Sequence, residues 1–344
     1  MIDFIRREKI YILILFFILA LNLFNLGRGE RKHVEGKQEK KTVSSMTFNE
    51  IGITEQKVRD YIASGRISAR FFRYGFIAGI FIFLLSLIVN IKFILLGKRP
   101  VINAPACRGP VSWSICDVIR ATLTIIFFAY VLAIAENFIF MAYHIYIGTN
   151  SLMMLNTFII DMVAAIMVFY FAVVKNKEGL CALGIRSRSF LKDVFSGITA
   201  YIMILPFLLA VLLLSVIVLN LLGYEPPPQP VFEVFMEEKR FNMLFFLVIF
   251  VSIVGPVIEE IFFRGFMYGA IKKRFGVITA VLLSASLFSL LHTNVVGFLP
   301  IMILGVLLAY LYETTGSLVS SMAVHIIHNS VMVSLVFFIK EVMA

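Results

Sequence analysis

Residues 254–264 read Val254-Gly255-Pro256-Val257-Ile258-Glu259-Glu260-Ile261-Phe262-Phe263-Arg264, two adjacent carboxylates and a guanidinium inside an apolar run. Charge placed at membrane depth is costly and is retained where it has a role. Glu260 and Arg264 are four residues apart, so on a helix they stack on one face in the order that suits an ion pair. Glu259 is turned from Arg264 by about 140° at 100° per residue, which gives the two acids different surroundings. Glu260 is expected to be paired and structural, and Glu259 to face a cavity. Pro256 removes one backbone donor and leaves the Ser252 carbonyl without its helical partner, so a bend is expected one turn before the acids. Gly265 and Gly269 form a small-residue face on which another helix can pack closely.

Working outward, the 344 residues are 60% hydrophobic and only 15% charged, with a mean hydropathy of +0.95. Soluble domains are about 45–50% apolar, so the composition excludes an ordinary soluble fold. The expected class is all-α, a polytopic bundle of transmembrane helices. At 1.5 Å per residue, stretches long enough for a bilayer core of ~30 Å fall near 10–26, 74–96, 118–143, 152–174, 194–222, 242–271, 277–291, 296–312 and 318–339, about nine spans. Arg6, Arg7 and Lys9 precede the first of them. That pattern, with no small-residue cleavage site after it, reads as an uncleaved signal anchor with a cytoplasmic amino terminus. The basic connectors Lys98/Arg99, 175–192 and Lys272/Lys273/Arg274 then share the amino-terminal side, as the positive-inside rule asks. The basic, mixed-charge stretch 28–73 falls on the other side and breaks the pattern.

Four regions follow from this reading: a signal-anchor helix at 1–27, a polar segment at 28–73, three further spans within 74–182, and a core at 183–344. The net charge of +10 is assigned to membrane topology, since no basic and aromatic interleaving points to nucleic acid. Cys107, Cys116 and Cys181 lack zinc-knuckle spacing and are read as packing residues. Leu183-Gly-Ile-Arg-Ser-Arg-Ser-Phe190 reads as a turn broken at Gly184 followed by a short interfacial helix, with Ser189 a candidate cap. Gly223 and the prolines at 226, 227, 228 and 230 read as a stiff connector. Asp117 and Arg120 lie near a span terminus and can reach water, whereas Glu136 and Asp161 are deeper and could pair or line a pathway.

The chemistry gathers in the last third. Phe288-Ser-Leu-Leu-His292 lies on one expected span and His325-Ile-Ile-His328-Asn329 on another. Counted from the cytoplasmic ends, Glu259, His292, His325 and Asn329 lie roughly 14–24 Å deep, so three helices can bring them into one layer. A desolvated glutamate can take a proton from water, with His292 positioning or sharing it. His325 and Asn329 carry donors able to stabilise an oxyanion. Together these are the parts of amide hydrolysis, with no serine or cysteine nucleophile and no cofactor. A zinc ion on Glu259, His292 and His325 is the competing arrangement, although no His-Glu-x-x-His helix is present.

Glu259-Glu260-Ile-Phe-Phe-Arg264, Phe288 to His292 and His325 to Asn329, in that order and on separate helices, resemble the CAAX prenyl endopeptidase and bacteriocin-processing (CPBP) family of glutamic intramembrane proteases. The resemblance covers roughly 183–339. It implies a helical core with a cavity, Glu259 as the water-activating residue, His292 as its partner, His325 and Asn329 as the oxyanion site, and Glu260 with Arg264 orienting them. The implied partners are the lipid bilayer and a membrane-anchored peptide or protein substrate, prenylated in some members. Relatives that serve as adaptors or bacteriocin self-immunity proteins make a non-catalytic membrane protein the alternative. A transporter built on Glu136 and Asp161 is a third class, without the inverted repeat that would support it.

Overall fold

The computed structural model describes residues 2–29, 54–96, 110–144, 148–186, 189–224 and 230–343. Among these residues it is all helical. The helices are α1 (Ile2–Gly29), α2 (Glu55–Ala63), α3 (Ile67–Leu96), α4 (Ile115–Tyr143), α5 (Thr149–Phe169), α6 (Phe190–Leu221), α7 (Pro230–Glu237), α8 (Phe241–Ile249), α9 (Gly255–Glu260), α10 (Gly269–Leu291), α11 (Phe298–Thr315) and α12 (Leu318–Met343). Seven helical stretches are long and apolar enough to cross a membrane: Ile67–Lys92, Ile115–Tyr143, Thr149–Lys175, Phe190–Leu221, Phe241–Leu291, Phe298–Thr315 and Leu318–Met343. The 51 residues of Phe241–Leu291 would reach about 77 Å as one straight helix, far beyond a bilayer. Gly276, with φ 84° and ψ 176°, breaks the stretch between the two spans expected there. No Cβ is present to oppose that backbone conformation.

Contacts divide the chain into two units, one containing α1, α4 and α5, the other α2, α3 and α6 to α12. The block read as 74–182 is therefore parted, with α3 joining the later helices. In the first unit α1 and α4 run in parallel. Glu8 meets Arg120, Phe17 meets Phe127 at 5.3 Å and Asn22 donates to Tyr130 at 2.8 Å, in rising order along both helices. Helix α5 runs back along α4. Asn156 donates to Glu136 at 3.0 Å and, beyond α5, Lys175 pairs with Asp117. Asp117 and Arg120 thus belong to an ion-pair network of four side chains, and Glu136 has an amide partner that its sequence context does not name.

In the second unit α3 is tied to α6 at a proline. Pro206 lies inside α6 and, having no N–H, leaves the carbonyl of Ile202 without its helical donor. The Ser86 hydroxyl donates to that carbonyl at 2.6 Å, and Asn90 donates to the adjacent Met203 carbonyl at 2.9 Å. In hydrocarbon such a freed backbone group needs a neighbour's side chain. Ser86→Ala should therefore destabilise by about 1 kcal/mol. In a Pro206→Ala background, where the amide of residue 206 can serve Ile202, it should cost much less; thermal unfolding of the four proteins in detergent reads this coupling.

Helix α6 crosses α12 at Gly197, where a Cβ would stand 2.5 Å from the Ser320 carbonyl oxygen. Tyr201 and Leu208 of α6 pack with Leu304, Leu308 and Leu311 of α11 and Val324 of α12. The turn expected at Gly184 is present, with φ 85°. Ser189 stands immediately before α6, and among the described residues no separate interfacial helix precedes it. The backbone of the Gly184 turn is a clip: Leu318 N–H donates to the Gly184 carbonyl at 3.0 Å and the Tyr312 hydroxyl to the Leu183 carbonyl at 3.1 Å. Gly265 lies against that Leu183 carbonyl, which a Cβ would approach to 3.1 Å. Cys116 and Cys181 are free thiols, and Cys107 lies outside the described residues.

Past the proline run, of which 225–229 lie outside the described residues, the chain forms α7, which the connector reading did not foresee. Glu238 closes the α7–α8 turn, accepting from the amides of Lys239 at 3.0 Å and Arg240 at 2.8 Å and from the Arg240 guanidinium at 2.9 Å. The guanidinium hydrogen bond, foremost, holds the Glu238 carboxyl down at about 2. A depressed carboxyl stabilises above its unfolded value, ~4.3, and loses that contribution as pH falls through its folded value. Between pH 7 and 5 the stability difference between wild type and Glu238→Gln should be constant. It should shrink only below about pH 4.5, as thermal unfolding across that range will show.

Candidate active site

The two acids lie in a helical arm whose turns are not all alike. The backbone is π-helical over Phe250–Val254, α-helical over Gly255–Glu260 and π-helical again over Ile261–Tyr268. The Gly255 N–H bonds the Phe250 carbonyl five residues back, one residue before Pro256 removes a donor. A widened turn thus stands where a bend is expected from Pro256. π-Turns of this kind occur often at functional sites. Here they bracket Glu259 and Glu260.

Glu260 and Arg264 form the closed side of the site, both with no exposed surface. The Arg264 guanidinium donates to Glu260 Oε1 at 2.7 Å and to the Gly305 carbonyl of α11 at 3.2 Å. His325 of α12 lies 3.1 Å from Glu260 Oε1 through Nδ1. A carboxylate only accepts, so Nδ1 carries the proton in that bond. Gly305 lets α11 approach α10 closely, since a Cβ there would lie 3.1 Å from Cα of Ala285 and the helices would have to give by a few tenths of an ångström. One ring organises the remainder. Phe288 has the Arg264 guanidinium 4.4 Å over its face, with the rings of His292 at 4.8 Å, Phe263 at 5.3 Å and His325 at 5.4 Å in edge contacts. A cation over the negative face of an aromatic ring, away from water, is favourable.

Glu259 forms the open side. Its side chain is 33% exposed where that of Glu260 is 0%, the division of surroundings expected from their angular separation. His325 Nε2 stands 3.7 Å from Glu259 Oε2, so one imidazole faces both acids. His292 closes α10, its Nδ1–H donating to the Phe288 carbonyl at 2.9 Å, which leaves Nε2 as the ring's other nitrogen. Asn329 is placed less as expected. Its amide donates to the Val251 carbonyl at 2.9 Å, fastening α12 to the first π-helical turn, with a second N–H remaining on the same nitrogen. His328 is held by the Tyr201 hydroxyl of α6 at 3.1 Å.

Glu259, Glu260, Arg264 and His325 are thus in one contact group, with His292 joined through Phe288 and Asn329 through the Val251 carbonyl. The Gly305 and Val251 carbonyls and Tyr201 were not foreseen. Backbone acceptors have no sequence signature, whereas Tyr201 could have been sought as a polar group in an apolar span. Among the described residues, no three His, Cys, Asp or Glu side chains are grouped closely enough to hold a metal ion.

Residues 241–331 match the family described as Type II CAAX prenyl endopeptidase Rce1-like. The matched segment begins with α8 and ends two residues beyond Asn329, so it contains all six residues named for the site. A protein of Bacillus subtilis (strain 168) named "Putative membrane peptidase YdiL" is 31% identical over 87 residues, which is 25% of this chain and 36% of that protein. The similarity thus spans about a third of that relative's length. No solved structure matches. The apolar helices make this an integral, multi-pass membrane protein, and α1 to α7 lie outside the matched segment.

Proposed function

We propose that the protein is an intramembrane endopeptidase that hydrolyses a peptide bond of a membrane-anchored protein or peptide, CAAX-like and prenylated in one version, with Glu259 activating water. The observation that carries this is the unequal environment of two adjacent carboxylates, one locked in a buried ion pair and one open beside an imidazole. Pairs whose surroundings are pushed apart in this way divide structural and proton-transfer work between them.

In this reading Glu259 removes a proton from water, and the oxygen forms a bond to the scissile carbonyl carbon. The carbonyl π electrons move to oxygen. His325 keeps Nδ1–H on Glu260 and turns its other ring nitrogen to that oxyanion, as a donor when it carries a proton, with the second Asn329 N–H as a further donor. A substrate or water oxygen could bridge a 3.7 Å separation such as that between His325 and Glu259. Collapse of the intermediate breaks the C–N bond, and Glu259 returns its proton to the leaving amine. His292 orients the water or shares its proton. No metal is assigned, and metal content measured in purified, active protein would test the zinc alternative on Glu259, His292 and His325.

The adaptor or immunity reading has one observation in its favour: His325 and Asn329 both spend a donor on internal acceptors, as helix-tying residues do. The two readings part in cells. Amino- and carboxyl-terminal peptides from membranes carrying wild-type protein are compared with those carrying Glu259→Gln at equal expression. Termini that vanish in the variant support proteolysis and name the substrates. Identical termini, with any phenotype supported equally by both proteins, overturn it in favour of the adaptor.

A further inference from the structure

The α2–α3 hairpin carries a charge arrangement that the site does not use. Residues 54–74 hold five cations, Lys57, Arg59, Arg66, Arg70 and Arg73, against two carboxylates, Glu55 and Asp60. Glu55 is taken by Arg59 one turn on, and Asp60 accepts from Gln56. Arg66, Arg70 and Arg73 are all exposed, and among the described residues none has a carboxylate within ion-pair distance. At spacings of four and three they lie within about 60° of one helix face. All three stand in or just before the first two turns of a 30-residue helix, where the helix dipole opposes positive charge. Their arrangement is locally unfavourable unless an anion lies against it.

Their depth identifies the anion. Between the Arg70–Arg73 pair and Lys92, α3 is apolar apart from Ser86 and Asn90, which bond to α6. At 1.5 Å per residue, Lys92 is about 29–33 Å from these arginines, the thickness of the hydrocarbon core. The stripe is therefore at headgroup level, interleaved with exposed Phe71 and Tyr74, and the Arg73 guanidinium lies 5.0 Å over the Tyr74 ring. Aromatic rings favour this layer, and guanidinium groups bind phosphate oxygens in a planar fork. We infer that Arg66, Arg70 and Arg73 form a binding site for the headgroup phosphates of anionic phospholipids in the leaflet that surrounds the start of α3.

The site would not be remote from the rest of its unit. Phe72 of α3 and Tyr61 of α2 pack on Phe338 of α12 at 5.2 and 5.9 Å, and Ser68 donates to Glu341 at 3.2 Å. Helix α3 also holds α6 next to Tyr201, through the carbonyls of Ile202 and Met203. A headgroup bound here would brace α12, which carries His325 and His328, and α6, whose Tyr201 bonds His328. It also gives the basic residues of the connector that breaks the positive-inside pattern a use on either side of the membrane.

The test uses the full chain in detergent with equal amounts of phosphatidylglycerol and phosphatidylcholine, the bound lipids being counted by native mass spectrometry. Each juxtamembrane cation favours an anionic surface about fivefold. Wild type should retain phosphatidylglycerol over phosphatidylcholine by about tenfold or more, and Arg59→Gln should match it. The triple variant R66Q/R70Q/R73Q should fall below about threefold. Arg70→Gln alone should lower the preference by about fivefold, which serves if the triple variant does not fold. Equal retention of the two lipids by wild type, or an unchanged preference in the arginine variants, overturns the site. So does thermal stabilisation by inorganic phosphate in phosphatidylcholine micelles equal to that given by phosphatidylglycerol, because the site would then be a general anion contact.

Discussion

Replacing Arg264 by methionine should destabilise the protein by about 3–5 kcal/mol, the loss expected when one partner of a fully buried ion pair is removed and the other charge stays behind. Glu260 would then keep the His325 Nδ1–H without its guanidinium partner, in a region with no exposed surface, and Gly305 would lose the guanidinium from its carbonyl. The Phe288 face would lose its cation as well. Glu260→Leu alone should be similarly costly, because it strands the guanidinium. Combining the two should recover most of the loss, since an apolar pair of comparable volume needs no compensating charge. Unfolding of the two single variants and the double variant in detergent measures the coupling. Additive losses in the double variant would mean that the pair does not act as a unit.

Glu259→Gln should do the reverse, leaving stability within about 1 kcal/mol of wild type, as for a substitution of similar shape at a partly exposed position. Hydrolysis should fall by about 10²–10⁴, the range for loss of a general base. The contrast between neighbours is the informative part: substitution at 260 should act on folding and substitution at 259 on rate. Single-turnover cleavage of a substrate found through its new termini measures the second effect. A rate within threefold of wild type would remove Glu259 from proton transfer and turn attention to the histidines.

Much of this was legible in the chain. Helical periodicity alone separates Glu259 from Glu260 and joins Glu260 to Arg264, and hydropathy places the long helices because the bilayer sets their length. What stayed hidden depends on backbone atoms and on long-range packing. The carbonyls that receive Arg264 and Asn329 come from a glycine and a valine, residues with no side-chain signal for the role. Ser86 and Asn90 look like scattered polar residues until Pro206 shows which carbonyls on α6 require them. The grouping of α3 with the later helices follows from those bonds and not from chain order. The widened turns around the acids also leave no trace in composition, since π and α turns are built from the same residues.

Those two widened turns have a consequence for what length changes the arm can tolerate. A π-turn accommodates an additional residue without ending the helix. Removing one residue from Phe250–Val254 could therefore restore ordinary winding and still fold locally. Glu259, Glu260 and Arg264 would keep their places, because the widened turn had already absorbed the extra residue. A single-residue deletion in the ordinary α-helical turn before the acids, within Gly255–Ile258, would instead turn both of them by about 100° relative to the preceding arm. Loss of one residue from Phe250–Val254 should therefore be tolerated far better than loss of one residue a single turn later.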